Sequence, residues 1–283
     1  MKILFCTDGS LTSFNAIKNY SQWFNNFEVD VLSISDLTYF YDNIVFNNNK
    51  LVEQCSNNVQ NILNTSKNFL EESGIKLHEL IKKCGSATDV ILEEEYSGNY
   101  EYVVMGSNGK KGIQKWLGSV SQDVASKSKT RVFISKNEQK SKSILFTIQP
   151  SNTDFSGFKE NLSKMNLIGA QITLISVYEM PDFLFLEGNV DSNWVTDVEL
   201  KQRKEAIWAI NSAEKLFIDS GLTVSDKVVL KGSPSQEILQ FMENNRFSLV
   251  VTGMSKKKNY NYNSVSRRIL EYSNCDVLID KNI

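Results

Sequence analysis

A single histidine, His78, stands in 283 residues. That scarcity removes the usual histidine-dependent catalytic triads. With no ligand partner near it in sequence, it also argues against a metal site. The four cysteines, Cys6, Cys55, Cys84 and Cys275, show no CxxC spacing. A disulfide framework is therefore not expected, and buried reduced thiols are the default reading. No apolar run approaches the roughly 20 residues that a membrane span needs. The opening Met1-Lys2-Ile3-Leu4-Phe5-Cys6 is largely apolar, but Asp8 interrupts it before the core of about 7–15 residues found in a signal peptide. A cytoplasmic protein is expected. Net charge is also nearly missing: the formal value of -2 gives no electrostatic reason to expect nucleic acid or an anionic membrane as a partner. Lys110-Lys111 and Lys256-Lys257-Lys258 are local basic patches, and the second reads as a solvated loop.

What is present is an ordinary globular composition, 41% hydrophobic and 23% charged, written twice. Lys2-Ile3-Leu4-Phe5-Cys6-Thr7-Asp8-Gly9-Ser10 is echoed by Ser143-Ile144-Leu145-Phe146-Thr147-Ile148-Gln149-Pro150-Ser151. Each is a short apolar run breaking into turn-forming residues, as a buried strand entering a loop does. Helical stretches follow at 13–24 and 155–165. The second strands are Val29-Asp30-Val31-Leu32-Ser33-Ile34-Ser35 and Gln171-Ile172-Thr173-Leu174-Ile175-Ser176-Val177, matched in that order. Irregular segments and long amphipathic helices come next, at about 49–73 and 197–219, with Gly74 and Gly221 placed to end them. Third strands are expected at 76–82 and 226–230, and polar turns at Gly85 and Gly232 lead into helices. Fourth strands end at Gly106 and Gly253, and last strands lie at 131–134 and 276–279. Five strands alternating with four helices per half predict an α/β fold of two tandem, doubly wound, five-stranded parallel-sheet domains. The domains are set at 1–138 and 139–283, joined by the polar stretch 136–142.

In such sheets ligands bind beyond the carboxyl ends of the strands, where the strand order reverses. Three features of the first half fall there: Asp8 after strand one, Ile34 at the end of strand two, and Gly106-Ser107-Asn108-Gly109 after strand four. The last leads through Lys110 and Lys111 to Gly118-Ser119-Val120-Ser121. Glycines let a backbone approach phosphate oxygens. Ser119 and Ser121 open a helix whose free amides and dipole favour an anion. Their hydroxyls add donors or cap the helix.

At these residues the sequence resembles the universal stress protein family. Its nucleotide-binding members carry Gly-x2-Gly-x9-Gly followed by Ser or Thr at the end of strand four. The resemblance implies that Gly106, Gly109, Gly118 and Ser119, continued by Val120 and Ser121, wrap ribose and phosphates. It also implies that Asp8 contacts the nucleoside and that Ile34 holds adenine through its backbone. The implied ligand is ATP or ADP, with Mg2+ as an accompanying ion left open. The implied role is stress response or regulation, with the two halves as an intramolecular pseudo-dimer and a homodimer as a further option. Neither nucleic acid nor membrane is an expected partner. The departure is one residue: eight, not nine, separate Gly109 from Gly118, which shortens the part of the loop that would enclose phosphates. Trp116 sits near its end.

In the second half Lys256 stands at the position of Gly109, Asn263 at that of Gly118 and Gln149 at that of Asp8. Tyr260 and Tyr262 fill the shorter loop. This half is expected to be a degenerate, non-binding copy. Because Gly106 and Ser119 recur as Gly253 and Ser264, they serve the fold at least in part, as a strand-end turn and a cap. Asp8, Gly109 and Gly118 are the discriminating residues. The aromatic segments 40–46 and 183–194 read as lids or packing flaps. A nucleotide-free scaffold and a weak ATP hydrolase are the alternatives. No Walker-type lysine motif or convincing base supports the latter, so no catalytic residue and no metal ligand is assigned.

Overall fold

The computed structural model describes residues 1–36, 49–108, 117–136, 141–150, 152, 154–180, 192–253 and 264–281. Outside them lie Gly109, Lys110, Lys111, Trp116, Lys256-Lys257-Lys258, Tyr260, Tyr262, Asn263, the aromatic segment 40–46, most of 183–194 and the middle of the 136–142 joint. The chain forms two compact units, Met1–Glu138 and Gln139–Ile283.

In the first unit the order is β1 (Lys2–Cys6), α1 (Leu11–Trp23), β2 (Glu28–Ser35), α2 (Asn49–Glu72), β3 (Lys76–Cys84), α3 (Ala87–Gly98), β4 (Tyr102–Gly106), α4 (Ser119–Lys127) and β5 (Arg131–Ser135). The second repeats it as β6 (Ser143–Thr147), α5 (Ser156–Lys164), β7 (Gln171–Tyr178), α6 (Ser192–Asp219), β8 (Asp226–Lys231), α7 (Pro234–Asn244), β9 (Leu249–Gly253), α8 (Ser264–Tyr272) and β10 (Asp276–Asp280). The strand order is β3-β2-β1-β4-β5 in the first and β8-β7-β6-β9-β10 in the second, parallel throughout. This is the doubly wound α/β fold expected. In each unit the chain winds outward from the first strand, then crosses to its other side. The order therefore reverses between β1 and β4, and again between β6 and β9.

Central strands covered on both faces read as continuous apolar runs, and Ile3, Leu4, Phe5, Val103, Val104, Ile144, Leu145, Leu249 and Val250 are fully buried. α1 buries Ala16, Ile17, Tyr20 and Trp23, a spacing that keeps them on one helical face. Tyr20 stacks on Phe24 at 4.4 Å and meets Tyr102 and Phe133 edge-on. In the second unit Phe146, Phe158 and Phe217 form an aromatic knot across β6, α5 and α6, with centroids 5.1–5.6 Å apart.

The long helices end as the sequence suggests. Gly74 and Gly221 take φ of 68° and 74°. Ile75 N donates to Leu70 O, and Leu222 N to Phe217 O, the six-to-one bond of a left-handed helix stop. The ladders also correct a correspondence. Lys2 pairs with Glu28 and Ser143 with Gln171, so Glu28 matches Gln171 and Ile34 matches Val177. The alignment from sequence was one residue out because both strands are apolar enough to slide. The thiols need correction too: all four are free, but Cys6 and Cys275 are buried while Cys55 is half-buried and Cys84 is exposed. Among the described residues no helix is long and apolar enough to cross a membrane.

Candidate functional site

At the carboxyl edge of the first sheet, β1 stops at Cys6 while β2 continues to Ser35. Thr7 N donates to Leu32 O at 3.0 Å, so the Leu32 peptide faces β1. Two residues on, Ile34 faces the same way, past the point where β1 has ended. Its main chain offers a donor and an acceptor at the crevice, as strand alternation requires. Val177 stands in the same relation to Ile148 N and Ile175 O in the second unit, so this feature is common to both.

Asp8 follows β1 by two residues, not immediately. Its Oδ1 accepts from Ser10 N at 3.0 Å, forming a side-chain turn that sets up the start of α1. Ser10 is the N-cap of α1. A group of hydroxyls fixes this corner: Thr7 Oγ1 to Ser13 Oγ at 2.7 Å, Ser13 Oγ to Ser10 O at 2.7 Å, and Thr12 Oγ1 to Asn108 O at 2.7 Å. The last bond ties α1 to the loop after β4.

Gly106 is needed for proximity rather than for a turn. A Cβ there would lie 2.9 Å from Thr12 C and 3.0 Å from Ser13 N, so the first turn of α1 rests directly on the strand end. That corrects the turn reading. Gly118 is a second close approach. Its φ of -66° suits any residue, but a Cβ would meet Ser107 O at 3.1 Å. Gly118 N donates to that oxygen at 2.8 Å. Gly118 itself, not Ser119, is the N-cap of α4, and it has no side chain with which to cap. The first-turn amides of α4 thus keep their donors for another acceptor. Ser119 is exposed at the first helical position and Val120 is half-exposed. Ser121 is buried, and its hydroxyl donates to Gly106 O at 2.9 Å. With its one hydrogen used, that hydroxyl has none for a phosphate oxygen.

The structure therefore brings Asp8, Ile34, Gly106, Gly118, Ser119, Val120 and Ser121 to one edge of one sheet, while Gly109 lies outside the described residues. The chemistry on offer is binding: a main-chain edge, a carboxylate and a helix N-terminus. Cys6 at the end of β1 supplies no nucleophile. Burial, and then the Glu95 and Glu94 carboxylates, push its thiol far above its ordinary value.

In the second unit the Ser121 bond recurs, Ser266 Oγ donating to Gly253 O at 2.7 Å, but the surroundings differ. Ile148, buried, replaces Thr7, and Gln149 replaces Asp8. α5 is entered through an Asn152–Asp154 turn, with Asp154 Oδ1 accepting from Ser156 N.

At the opposite edge the fold assembles a cluster that sequence order hid. Asp30, fully buried, receives Lys2 Nζ at 2.8 Å, Tyr100 OH at 2.7 Å and His78 Nδ1 at 2.6 Å. β3 bulges there, Val29 pairing with Leu77 and Asp30 with Glu79, so His78 and Glu79 both come within reach of Asp30. The lone histidine has a partner after all, 48 residues away in sequence. Burial pushes the Asp30 carboxyl up, but the three hydrogen bonds and the Lys2 charge outweigh it and hold it below its ordinary value. The only sequence signal was an acidic residue at an otherwise apolar strand position.

The family model described as the universal stress protein family matches this chain twice, at residues 1–136 and 141–281. A universal stress protein from Archaeoglobus fulgidus DSM 4304 is similar in structure, with a TM-score of 0.67 at 20% identity, over 99% of this chain and 96% of that one. A universal-stress-type protein from Pseudomonas aeruginosa UCBPP-PA14 follows the fold with a TM-score of 0.61 at 12% identity, over 98% and 92% of the two chains. A universal stress protein in complex with cAMP matches 47% of this chain and 94% of its own, at 21% identity and a TM-score of 0.34. No curated protein matches.

Proposed function

This chain belongs to the universal stress protein family, and from that premise we propose that its first unit binds an adenine nucleotide, ATP or ADP, as a regulatory ligand. The observation that carries the reading is the uncapped start of α4, seated on the end of β4 by Gly118 N to Ser107 O and Ser121 Oγ to Gly106 O. Amides and dipole at that point favour a phosphate. Asp8 and the Ile34 main chain lie on the side where a nucleoside would extend. Ser119 contributes its hydroxyl, while Val120 and Ser121 contribute amides; Gly109 completes the motif. Mg2+, if it accompanies ATP, would be held by phosphate oxygens, with Asp8 as the carboxylate within this set. The second unit, lacking counterparts of Asp8, Gly109 and Gly118 in residue type, is a non-binding copy, and coupling to a partner runs through the contacts a bound nucleotide makes at the start of α4.

Thermal unfolding with and without ATP or ADP tests this. A ligand held at a hundred times its Kd adds about 2.7 kcal/mol, which corresponds to a rise of roughly 5–10 °C for units of this size. No rise at millimolar nucleotide would favour a nucleotide-free scaffold, the reading to which the shortened glycine loop points.

A further inference from the structure

The solvent face of α6 is unlike that of any other described helix. Five of the nine large apolar side chains exposed among the described residues lie on it, including Leu200, Ile207, Trp208 and Ile218. Its opposite face is already committed to the core through Ala206, Ala209, Ile210, Ala213 and Phe217. The equivalent helix of the first unit is an internal control. Aligned on the stop glycines Gly74 and Gly221, Leu200, Ile207 and Ile218 correspond to Glu53, Gln60 and Glu71, all exposed. Two of those positions bond within α2 itself, Gln60 to Asn64 and Lys67 to Glu71. A helix can therefore sit at this place in the fold with a wholly polar seam, and α6 does not.

The seam has the spacing of a helix-packing stripe. Leu200, Lys204, Ile207, Asn211, Glu214 and Ile218 alternate steps of four and three, which places them on one side of the helix. The order is also self-complementary when reversed. Antiparallel to a copy of itself, Leu200 meets Ile218, Ile207 meets Asn211 and Lys204 meets Glu214, each contact made twice. The two Trp208 side chains then flank the two-fold axis. A parallel pairing would set Lys204 against Lys204 and Glu214 against Glu214. Isologous contacts of this kind are what two-fold dimers use.

We propose that α6 is a homodimer surface, its occupant the α6 of a second copy of this chain, packed antiparallel about the Ile207–Asn211 turn. The seam is about 27 Å long at 1.5 Å per residue. One helix pair of that length falls at the small end of stable interfaces, so the dimer forms at micromolar concentration. The Lys204–Glu214 pairs fix direction and register more than strength. In the monomer Glu214 already holds Lys227 at 2.6 Å, which keeps its carboxylate oriented beside the seam.

Sedimentation equilibrium of the full chain across low to high micromolar concentration is the test, with circular dichroism as a folding control for each variant, since Glu214 is half-buried beside Lys227. A monomer–dimer equilibrium is expected. Ile207→Glu should weaken it at least tenfold. Lys204→Glu and Glu214→Lys should each weaken it alone, since each homodimer then sets like charges together twice. Mixing those two variants should restore a heterodimer, because both cross-pairs are then opposite in charge. A chain that stays monomeric throughout overturns the proposal. So does a dimer indifferent to Ile207→Glu, or a mixture of the two charge variants that fails to associate. None of these readouts involves nucleotide, so the result stands apart from the function proposed for the first unit.

Discussion

The two units differ least where they hold themselves together and most where a ligand would be met. Both carry a serine at the third position of the helix after the fourth strand, and in both its hydroxyl closes on the strand-end glycine carbonyl, Ser121 on Gly106 and Ser266 on Gly253. Such a bond belongs to the fold. The entrance to the first helix is instead rebuilt. Thr7, Asp8 and Thr12 bind it together in the first unit, whereas an apolar Ile148 and an Asn152–Asp154 turn do so in the second. A repeat thus separates two kinds of residue that a single copy would confuse. The Ser121–Gly106 bond recurs as Ser266–Gly253, while Gln149 and Asn263 stand in the second unit where the first has Asp8 and Gly118.

Breaking the first site should give the largest effect. Gly118→Asp sets a carboxylate against the α4 amides where phosphate is proposed, and like charge there costs several kcal/mol. ATP affinity should fall about 100-fold, at 1.4 kcal/mol per tenfold, by calorimetric titration. Gln149→Ala in the second unit should leave affinity within about twofold. A comparable loss from Gln149→Ala would make the second unit a participant.

Next in size are two structural changes in the first unit, one at a glycine both units share and one at a cluster the second lacks. Gly106→Ala forces a methyl against the α1 backbone, 2.9 Å from Thr12 C, and should cost about 2 kcal/mol in denaturant unfolding. Asp30→Asn removes the charge that Lys2 and its partners surround. In the second unit Ser143 and Thr173 stand at the positions of Lys2 and Asp30. The folded carboxyl lies below its ordinary value. Its contribution is therefore present above an unfolded pKa of about 3.9 and is lost as pH falls through the lower folded value. Asp30→Asn should cost about 2 kcal/mol near neutral pH, in line with a charged hydrogen bond. That difference should begin to shrink as pH drops below about 4 and vanish only once pH has passed the lower folded value. Hydrogen exchange at low pH should show the first unit opening before the second.

Smallest are the serine locks. Ser121→Ala and Ser266→Ala should each cost about 1 kcal/mol. Ser121→Ala should weaken ATP binding less than Ser119→Ala, because the Ser121 hydroxyl has no hydrogen left for phosphate. The reverse order would place that hydroxyl on the ligand.

The fold was legible because its signals are local and repeated. Apolar runs such as Ile3-Leu4-Phe5 mark strands buried on both faces, and Gly74 and Gly221 mark helix stops. Register was less legible: β2 and β7 slid by one residue, since a strand apolar on both sides has no alternation to pin it. At the proposed site, sequence pointed to residues without showing their mechanics. It read Gly106 as a turn where the need is to let α1 pass, and gave Ser119 a capping role at a helix whose N-cap position Gly118 occupies. The hydroxyl corner and the Asp30 cluster were not legible, because each joins residues far apart in the chain: Thr12 with Asn108, and Asp30 with His78 and Tyr100.

The most direct measurement of the central claim is to denature the purified full chain and count what it releases, by chromatography and mass spectrometry, beside a calorimetric titration with ATP. One adenine nucleotide per chain, released or bound with Gly118 intact and lost in Gly118→Asp, is the expected result. No nucleotide in either experiment would contradict a binding first unit, and two per chain would contradict the division of labour between the copies.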